Sequence, residues 1–328
     1  MKSLDQTWYE QHGIRYLLWP FALLFRLLTA ARRLLYVLGI FKRYSLPIPV
    51  IVVGNITVGG TGKTPLVIWL ANHLKRQGFR PGIISRGYGG NAGQWPQYVR
   101  GDSDPTVVGD EPVLIARHTE CPVAVSPKRI QSAKALMKYS DCDVIISDDG
   151  LQHYALMRDI EIAVIDGVRR FGNGYCLPAG PLREPVSRLK TTDFVVCNGL
   201  PARGESQMKL SFLSVNNLRE QDHVEDIANF RGRRVHAIAG IGNPKRFFSM
   251  LKHYGLQIIE HPFPDHHPFQ VNDISFNDNL PVIMTEKDAV KCRRFSAENC
   301  WFVSIEAEMD EAFIKALDCK VGKLVNKT

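Results

Sequence analysis

The amino-acid sequence predicts an α/β protein. A P-loop NTPase parallel sheet carries helices on both faces, joined by a second, smaller α/β domain and preceded by an amphipathic, membrane-associated helix. Three observations predict this. The apolar, β-rich run Val50–Val53 ends in the glycine-rich turn GNITVGGTGKT and passes into a helical pattern over Thr64–Gln77. Strand, glycine loop and helix in that order present backbone N–H groups and a helix N-terminus to phosphate. Short apolar strands then alternate with helical stretches, the pattern of parallel βαβ units. The alternation pauses at the polar, turn-rich stretch Pro201–Gln207 and resumes after Gly232. A chain of 328 residues, 45% apolar and 23% charged, is globular and exceeds one typical core. The expected units are 1–46, 47–207 and 208–328.

Taken in order, the first element is Tyr16–Phe41, YLLWPFALLFRLLTAARRLLYVLGIF. Its longest uncharged run, Tyr16–Phe25, falls short of the roughly 20 residues a spanning helix needs. Arg26, Arg32 and Arg33 would sit at hydrocarbon depth. On a helix, Arg15, Ala22, Arg26 and Arg33 share one stripe, and Leu and Phe fill most of the remaining circumference. Such a helix lies in a membrane interface, arginines toward headgroups and apolar side chains toward acyl chains. A helix packed on its own domain is the alternative, and one face can serve each. Pro20 is expected to break or kink it early. No small-residue cleavage site follows, so it does not read as a cleavable signal.

The expected strands of the larger unit are Val50–Val53, Gly82–Ser85, Val123–Val125, Val144–Ser147, Ile160–Ile165 and Phe194–Cys197, with helices at Thr64–Gln77, Glu111–Arg117 and Ser126–Lys138. The smaller unit reads as Leu210–Val215, Val235–Ala239, a helix near Pro244–His253, Gln257–His261, Pro281–Thr285 and Trp301–Ile305. Ligands of such sheets gather at the carboxyl ends of the strands. The loop Thr57, Val58, Gly59, Gly60, Thr61, Gly62, Lys63 and Thr64 is therefore the expected ATP site. Lys63 would reach the β/γ-phosphates and Thr64 would place its hydroxyl on Mg²⁺. Thr57 stands where a glycine usually opens this loop, so the loop is a variant.

Further clusters follow other strands. Asp148 and Asp149 come directly after Val144–Ser147, where a carboxylate holds the metal of a P-loop; a turn formed by Asp149-Gly150 is the plainer reading. Asp110 of GDEP heads a helix, and N-capping competes there with a chemical role. SRGYGG would project Arg86 and Tyr88 beside the glycine loop, and the rigid PAGPLREP presents Arg183 to a phosphate. FPDHHPF pairs His266 and His267 beside Asp265 without further ligands at zinc spacing, which favours acid–base work or substrate contact over metal. The seven cysteines form no C-x-x-C pair and indicate neither a zinc site nor a disulfide framework.

GNITVGGTGKTP, SRGYGG, GDEP, DDGLQH, LPAGPLREP, FPDHHPF and TEKDAVK stand in the order found in the tetraacyldisaccharide 4′-kinases, and the chain resembles that family from the N-terminal helix to about residue 291. The resemblance implies two α/β/α domains joined by a two-stranded linker, with ATP and Mg²⁺ as cofactors. It implies transfer of the γ-phosphate to the 4′-hydroxyl of a tetraacylated glucosamine disaccharide 1-phosphate, giving lipid IVA. The implied location is the cytoplasmic face of the bacterial inner membrane. By matching position, Lys63 and Thr64 serve the phosphates and metal, and Asp148 and Asp149 the metal. Asp110 is the implied base and His266 its assistant. Arg86, Tyr88, Arg129, Gln152, Arg183 and Glu184 fall where the family contacts nucleotide or substrate.

Other classes fit less well. A switch ATPase often carries Lys where Val58 stands. A GTPase needs N/T-K-x-D, whereas Thr285-Glu286-Lys287-Asp288 has Lys and Asp adjacent. The net charge of +8 points to an anionic partner, yet the basic residues lack the aromatic interleaving of nucleic-acid binders. The expected partners are the lipid substrate and a membrane surface, with no nucleic acid and no obligatory protein.

Overall fold

The computed structural model describes residues 8–9, 13–220, 223–295 and 299–325. A single sheet of thirteen strands runs through it. The first set is β1 (Val50–Gly54), β2 (Pro81–Ser85), β3 (Gln97–Val99), β4 (Val123–Val125), β5 (Val144–Ser147), β6 (Ile160–Asp166) and β7 (Phe194–Asn198). The long β8 (Ser206–Asn217), with the short β9 (Val224–Glu225) on its side, leads to β10 (Arg234–Ala239), β11 (Gln257–Pro262), β12 (Val282–Thr285) and β13 (Cys300–Met309). In space the order is β3-β4-β2-β5-β1-β6-β7-β8-β13-β12-β10-β11. Pairing is parallel except for β3 with β4, β8 with β13 and β8 with β9. The antiparallel β8–β13 pair therefore joins two parallel sets into one sheet. It spans the expected 207/208 boundary.

β1 is buried at all five positions. Helices cover both of its faces, which is why it reads as an unbroken apolar run rather than an alternating one. On one side Leu66, Leu70 and Leu74 of α2 (Lys63–Arg76) and Val113 and Ile115 of α4 (Asp110–Thr119) pack on β1, β5 and β6. On the other, Ala133 and Leu136 of α5 (Arg129–Tyr139) pack on Val50, Val52 and Ile84. The second set is flanked by α6 (Pro244–His253), through Phe247, Phe248 and Leu251, and by Ala289 and Cys292 of α8 (Glu286–Cys292). The short α3 (Pro105–Val108) and α7 (Val271–Ile274) complete the connections around these helices.

Several elements differ from the sequence reading. α1 spans Ile14–Val37 and continues through Pro20, which replaces one N–H near the helix start without ending it. Strands β3 and β9 and helices α3, α7, α8 and α9 (Glu311–Val325) were not expected. Although α9 follows the second set, its stripe Phe313, Leu317 and Val321 packs into the core of the first. Phe313 meets Trp69 and Phe194 with ring centroids 5.8 and 5.2 Å apart. Among the described residues no helix is long and apolar enough to cross a membrane.

α1 touches the body along a narrow seam. Ala22 is buried and Phe25, like Leu46 and Ile48, packs on the core cluster that includes Val50 and Leu156, while Arg33 donates to Thr191 Oγ1 at 3.1 Å. Arg32 reaches the Gln152 carbonyl at 3.4 Å. Ala22 and Arg33, two members of the stripe read as facing headgroups, thus lie on the protein side. Leu17, Phe21, Leu24, Leu27 and Leu28 are 55–73% exposed.

Candidate active site

The site is built from loops at the carboxyl ends of the strands, around a cavity of about 1290 Å³. The β1–α2 loop forms its floor. Gly62 caps α2 with φ 95°, and a Cβ there would lie 2.4 Å from Asn198 Nδ2, so only glycine fits. Asn198 Nδ2 donates to the Thr61 carbonyl at 3.1 Å, and Asn55 Nδ2 donates to Thr61 Oγ1 at 3.3 Å. Thr57 is buried and bridges Leu182, while Val58 N donates to the Pro181 carbonyl at 2.8 Å. The departure from glycine at Thr57 thus has a physical reason: this end of the loop is stitched to the PAGPLREP segment as a strand-like pair. Gly59–Thr64 line the cavity, with the first N–H groups of α2 behind them.

Opposed charges crowd beside that loop. Lys63 Nζ lies 3.5 Å from Asp149 Oδ1, and Arg183 Nη1 donates to both Asp149 oxygens at 3.2 and 3.1 Å. Burial opposes the charge on Asp149, but Lys63 and Arg183 outweigh it and hold its carboxyl well below the usual range. Asp148 is in the reverse situation. Burial first, then Glu111 and Asp149, push its carboxyl up to about 7 against the pull of Lys63. Its Oδ2 accepts from Ser85 at 3.0 Å, while the buried Oδ1 has no hydrogen-bond partner. Arg129 is itself buried, and its Nη2 donates to the carbonyls of Asp148 and Asp149 at 3.0 and 2.6 Å, which fixes the turn that carries both carboxylates.

Across the cavity, two elements distant in sequence meet. His266 Nδ1 lies 3.0 Å from Asp110 Oδ2, whereas His267 pairs with Asp273 at 3.0 Å. Gly109, not Asp110, occupies the cap of α4, and Asp110 Oδ1 accepts from the Glu111 N–H at 2.8 Å. Burial raises the Asp110 carboxyl, but the His266 hydrogen bond and the charges of Lys287 and Lys291 bring it down to about 2. For His266, burial disfavours the cation, and the Asp110 hydrogen bond overcomes this and raises its pKa. His266 lines the cavity; Asp110 stands behind it, 5% exposed. The Tyr88 ring lies 4.9 Å from the imidazole, and Arg86 lines the same wall.

Glu184 is buried and accepts from Gln152 Nε2 at 2.8 Å and from the Tyr154 hydroxyl; Gln152 Nε2 also donates to the Asn55 carbonyl at 3.0 Å. These two side chains brace the loops as well as lining the cavity.

Four participants escaped the sequence reading. Arg169 ties the two halves, donating to the Gly242 carbonyl at 2.7 Å and the Gly60 carbonyl at 2.8 Å. Those loops touch so closely that a Cβ at Gly242 would lie 2.3 Å from Gly60 N. His153 lines the cavity with a buried, unpartnered Nε2, and burial followed by Arg129 and Arg158 pushes its pKa down to about 4. Tyr154 and Lys287 complete the set. His153 was in plain view as the last residue of DDGLQH, and Lys287 within TEKDAVK; no local pattern marks Arg169.

A glycine loop at a helix N-terminus, two adjacent carboxylates beside it, one of them buried, and a carboxylate–imidazole pair across one cavity describe a phosphotransferase of the α/β class. Comparison with known proteins agrees and is narrower. The sequence model of the family described as tetraacyldisaccharide-1-P 4′-kinase matches residues 14–322, and the chain belongs to that family. It is 54% identical over 311 residues to the tetraacyldisaccharide 4′-kinase of Nitrosococcus oceani, covering 93% of this chain and 90% of that protein. The Methylobacillus flagellatus protein of the same name is 50% identical over 326 residues, covering 99% and 97%. Among solved structures, "apo" form LpxK from Aquifex aeolicus in complex with ATP superposes with a TM-score of 0.77 at 29% identity, covering 96% of this chain and 99% of that one.

Proposed function

We propose that the chain transfers the γ-phosphate of ATP to the 4′-hydroxyl of a tetraacylated glucosamine disaccharide 1-phosphate, the lipid IVA-forming step of lipid A synthesis. One observation carries the site assignment: Asp110 and His266, 3.0 Å apart, come from opposite halves of the chain, and His266 faces the cavity that Gly59–Thr64 also line. In this reading the phosphates lie on the N–H groups of that loop, with Lys63 and Arg183 against their charge. The sugar oxygen forms its bond to the γ-phosphorus as the bond to the β–γ bridging oxygen breaks. Its proton passes to the Asp110–His266 pair, and ADP leaves with the bridging oxygen. Arg86, Tyr88, Gln152 and Glu184 shape the substrate side. The units 47–207 and 208–328 then act as two halves that close on the ligand.

The donor set suits Mg²⁺. Asp148 Oδ1 is buried without a partner, an oxygen that a hard dication satisfies, and Thr64 lines the same cavity. Thr64, Asp148 and Asp149 would hold the ion, which when bound supplies charge neutralisation between the β- and γ-phosphates. The protein's own part is to orient: Arg129 holds the carboxylate turn, and Lys63 keeps Asp149 ionised.

Residues 1–46 anchor the chain to the cytoplasmic face of the inner membrane in this reading. The support is the apolar side of α1, 55–73% exposed at Leu17, Phe21, Leu24, Leu27 and Leu28, with Arg26, Lys42 and Arg43 exposed nearby. Replacing Leu23, Leu24 and Leu27 together by Glu is expected to abolish cosedimentation with anionic vesicles, since each leucine contributes about 1.5–3 kcal/mol when buried. ATP hydrolysis in detergent should stay within about twofold, because these exposed side chains are not among those lining the cavity. A triple variant that cosediments like the parent refutes the anchor. The reaction itself is tested by the movement of ³²P from γ-labelled ATP onto the acylated disaccharide in micelles; absence of a labelled 4′-phosphate refutes it.

A further inference from the structure

The segment TEKDAVK has no part in the reaction as described so far, yet its side chains bind both halves of the site together. Thr285 caps α8 by accepting from the Asp288 N–H at 3.2 Å, and Asp288 Oδ2 accepts from the Gly240 N–H at 2.8 Å. Glu286 meets His118 of α4 at 2.7 Å. Lys287 makes the most specific contact. Its Nζ donates to Glu111 Oε1 at 2.9 Å and to Asp265 Oδ1 at 3.1 Å. Glu111 is the residue after Asp110, and Asp265 is the residue before His266. One ammonium group therefore clasps the two chain segments that carry the proton-accepting pair.

We propose that Lys287 is a positioning residue of the phosphoryl-transfer site, holding Asp110 against His266 across the cleft and setting the pH at which the pair accepts a proton. The proposal rests on the assignment of Asp110 and His266 as that pair. Two geometric facts favour it over a surface ion pair. The Lys287 side chain is only 14% exposed, so its contacts are poorly screened. His266 also adopts φ 60°, a left-handed conformation that a non-glycine residue holds only when its surroundings impose it. The groups facing His266 are Asp110 from α4, Tyr88 from the loop after β2, Asp265 from its own loop and Lys287 from α8; Glu111 of α4 meets Lys287, and Lys291 of α8 faces Asp110. Lys291 Nζ lies 3.8 Å from Asp110 Oδ2 and 2.9 Å from Asp288. The two lysines oppose protonation of the pair, and the three carboxylates favour it. Glu111, Asp110 and Asp265 keep Lys287 itself charged, overriding the effect of burial.

The sign follows from the charges. Activity falls on the acid side as the pair takes up a proton beforehand, and Lys287 holds that limb at lower pH. The test is the pH profile of kcat/KM, with kcat and KM separated, for the full chain in micelles. Lys287→Met is expected to lower kcat about 10²-fold, as misplacement of a reacting group does. It should leave KM for ATP nearly unchanged and move the acid limb up by about one unit. Lys287→Arg should restore the limb. Asp265→Asn, which removes a negative charge beside His266, should move it the other way. In the His266→Ala background, Lys287→Met should shift nothing further. A Lys287→Met enzyme that loses kcat with its acid limb unmoved reduces the lysine to a structural strap and overturns the proposal. If Lys287→Met does not fold, an unmoved limb in Asp265→Asn overturns it equally. A wild-type acid limb that survives His266→Ala unchanged instead refutes the assignment of the pair.

Discussion

Lys63→Ala is expected to lower kcat by at least about 10³-fold while the protein stays folded, the scale on which a fixed cation at a transferring phosphoryl group acts. Lys63 is the first residue of α2, its side chain 11% exposed, with the ammonium directed at the carboxylate turn rather than into a core. Its removal leaves Asp149 with Arg183 at 3.1 Å, so no buried charge is stranded. The fold should cost little at neutral pH. What is lost is the charge against the γ-phosphate as negative charge grows in transfer. Because Asp149 is held below the ordinary carboxylate range, the ion pairs stabilise the folded state above that range and cease to do so as pH falls through the lowered value. The Tm of Lys63→Ala should therefore trail wild type at pH 7 and converge on it in acid. Turnover within tenfold of wild type by a folded preparation would sink the role.

The larger parallel set was legible because burial on both faces leaves its mark on every residue of a strand. Val50–Val53, Val144–Ser147 and Ile160–Ile165 are apolar runs closed by glycine or aspartate, and each begins where the structure begins it. Elements whose identity depends on partners were not. Gln97–Val99 is a strand only because β4 pairs with it, and its pattern alternates too briefly to read. α9 carries an ordinary amphipathic stripe; that this stripe returns to the first set and not the second is a tertiary fact. The single sheet was hidden for the same reason. Leu210–Val215 and Trp301–Ile305 both read as strands of the smaller unit; what joins the sets is the start of β8 at Ser206, parallel to β7, with β13 antiparallel on its other side.

The site divides along a similar line. Groups that follow a strand within one motif, such as Asp148, Asp149 and Lys63, were singled out from position alone, and the structure gathers them beside one loop. Groups that meet by crossing between segments were paired only where a resemblance supplied the pairing, as for Asp110 and His266, or were not singled out at all, as for Arg169 and its two carbonyls. Arg129 was placed among the ligand contacts by resemblance alone; it lines the cavity, and its guanidinium also holds two backbone carbonyls, a crossing contact that no local pattern marks.

Asp110→Asn should yield a folded protein with kcat reduced by about 10²–10⁴-fold, the range over which a positioned acid–base group contributes. Asn preserves the shape at the head of α4 and can still accept from the Glu111 N–H, now at 2.8 Å. It cannot carry the charge that keeps His266 protonatable and correctly turned. The cap of α4 belongs to Gly109, so capping gives no reason for the activity to fall. The pH dependence of stability adds an independent check. The folded carboxyl titrates at about 2, below its ordinary value, so its contribution is present above roughly pH 4 and disappears as pH drops toward 2. Wild type should exceed Asp110→Asn in Tm at pH 7, and the gap should close in acid. His266→Ala should reduce kcat to a similar degree with little change in KM. Asp110→Asn combined with His266→Ala should be scarcely worse than either alone, since members of one proton-accepting unit are not additive. If the two losses instead multiply, Asp110 and His266 act separately and the 3.0 Å contact between them is structural. A stable and fully active Asp110→Asn enzyme would remove the carboxylate from the mechanism and leave proton acceptance to the imidazole, the member of the pair that faces the cavity.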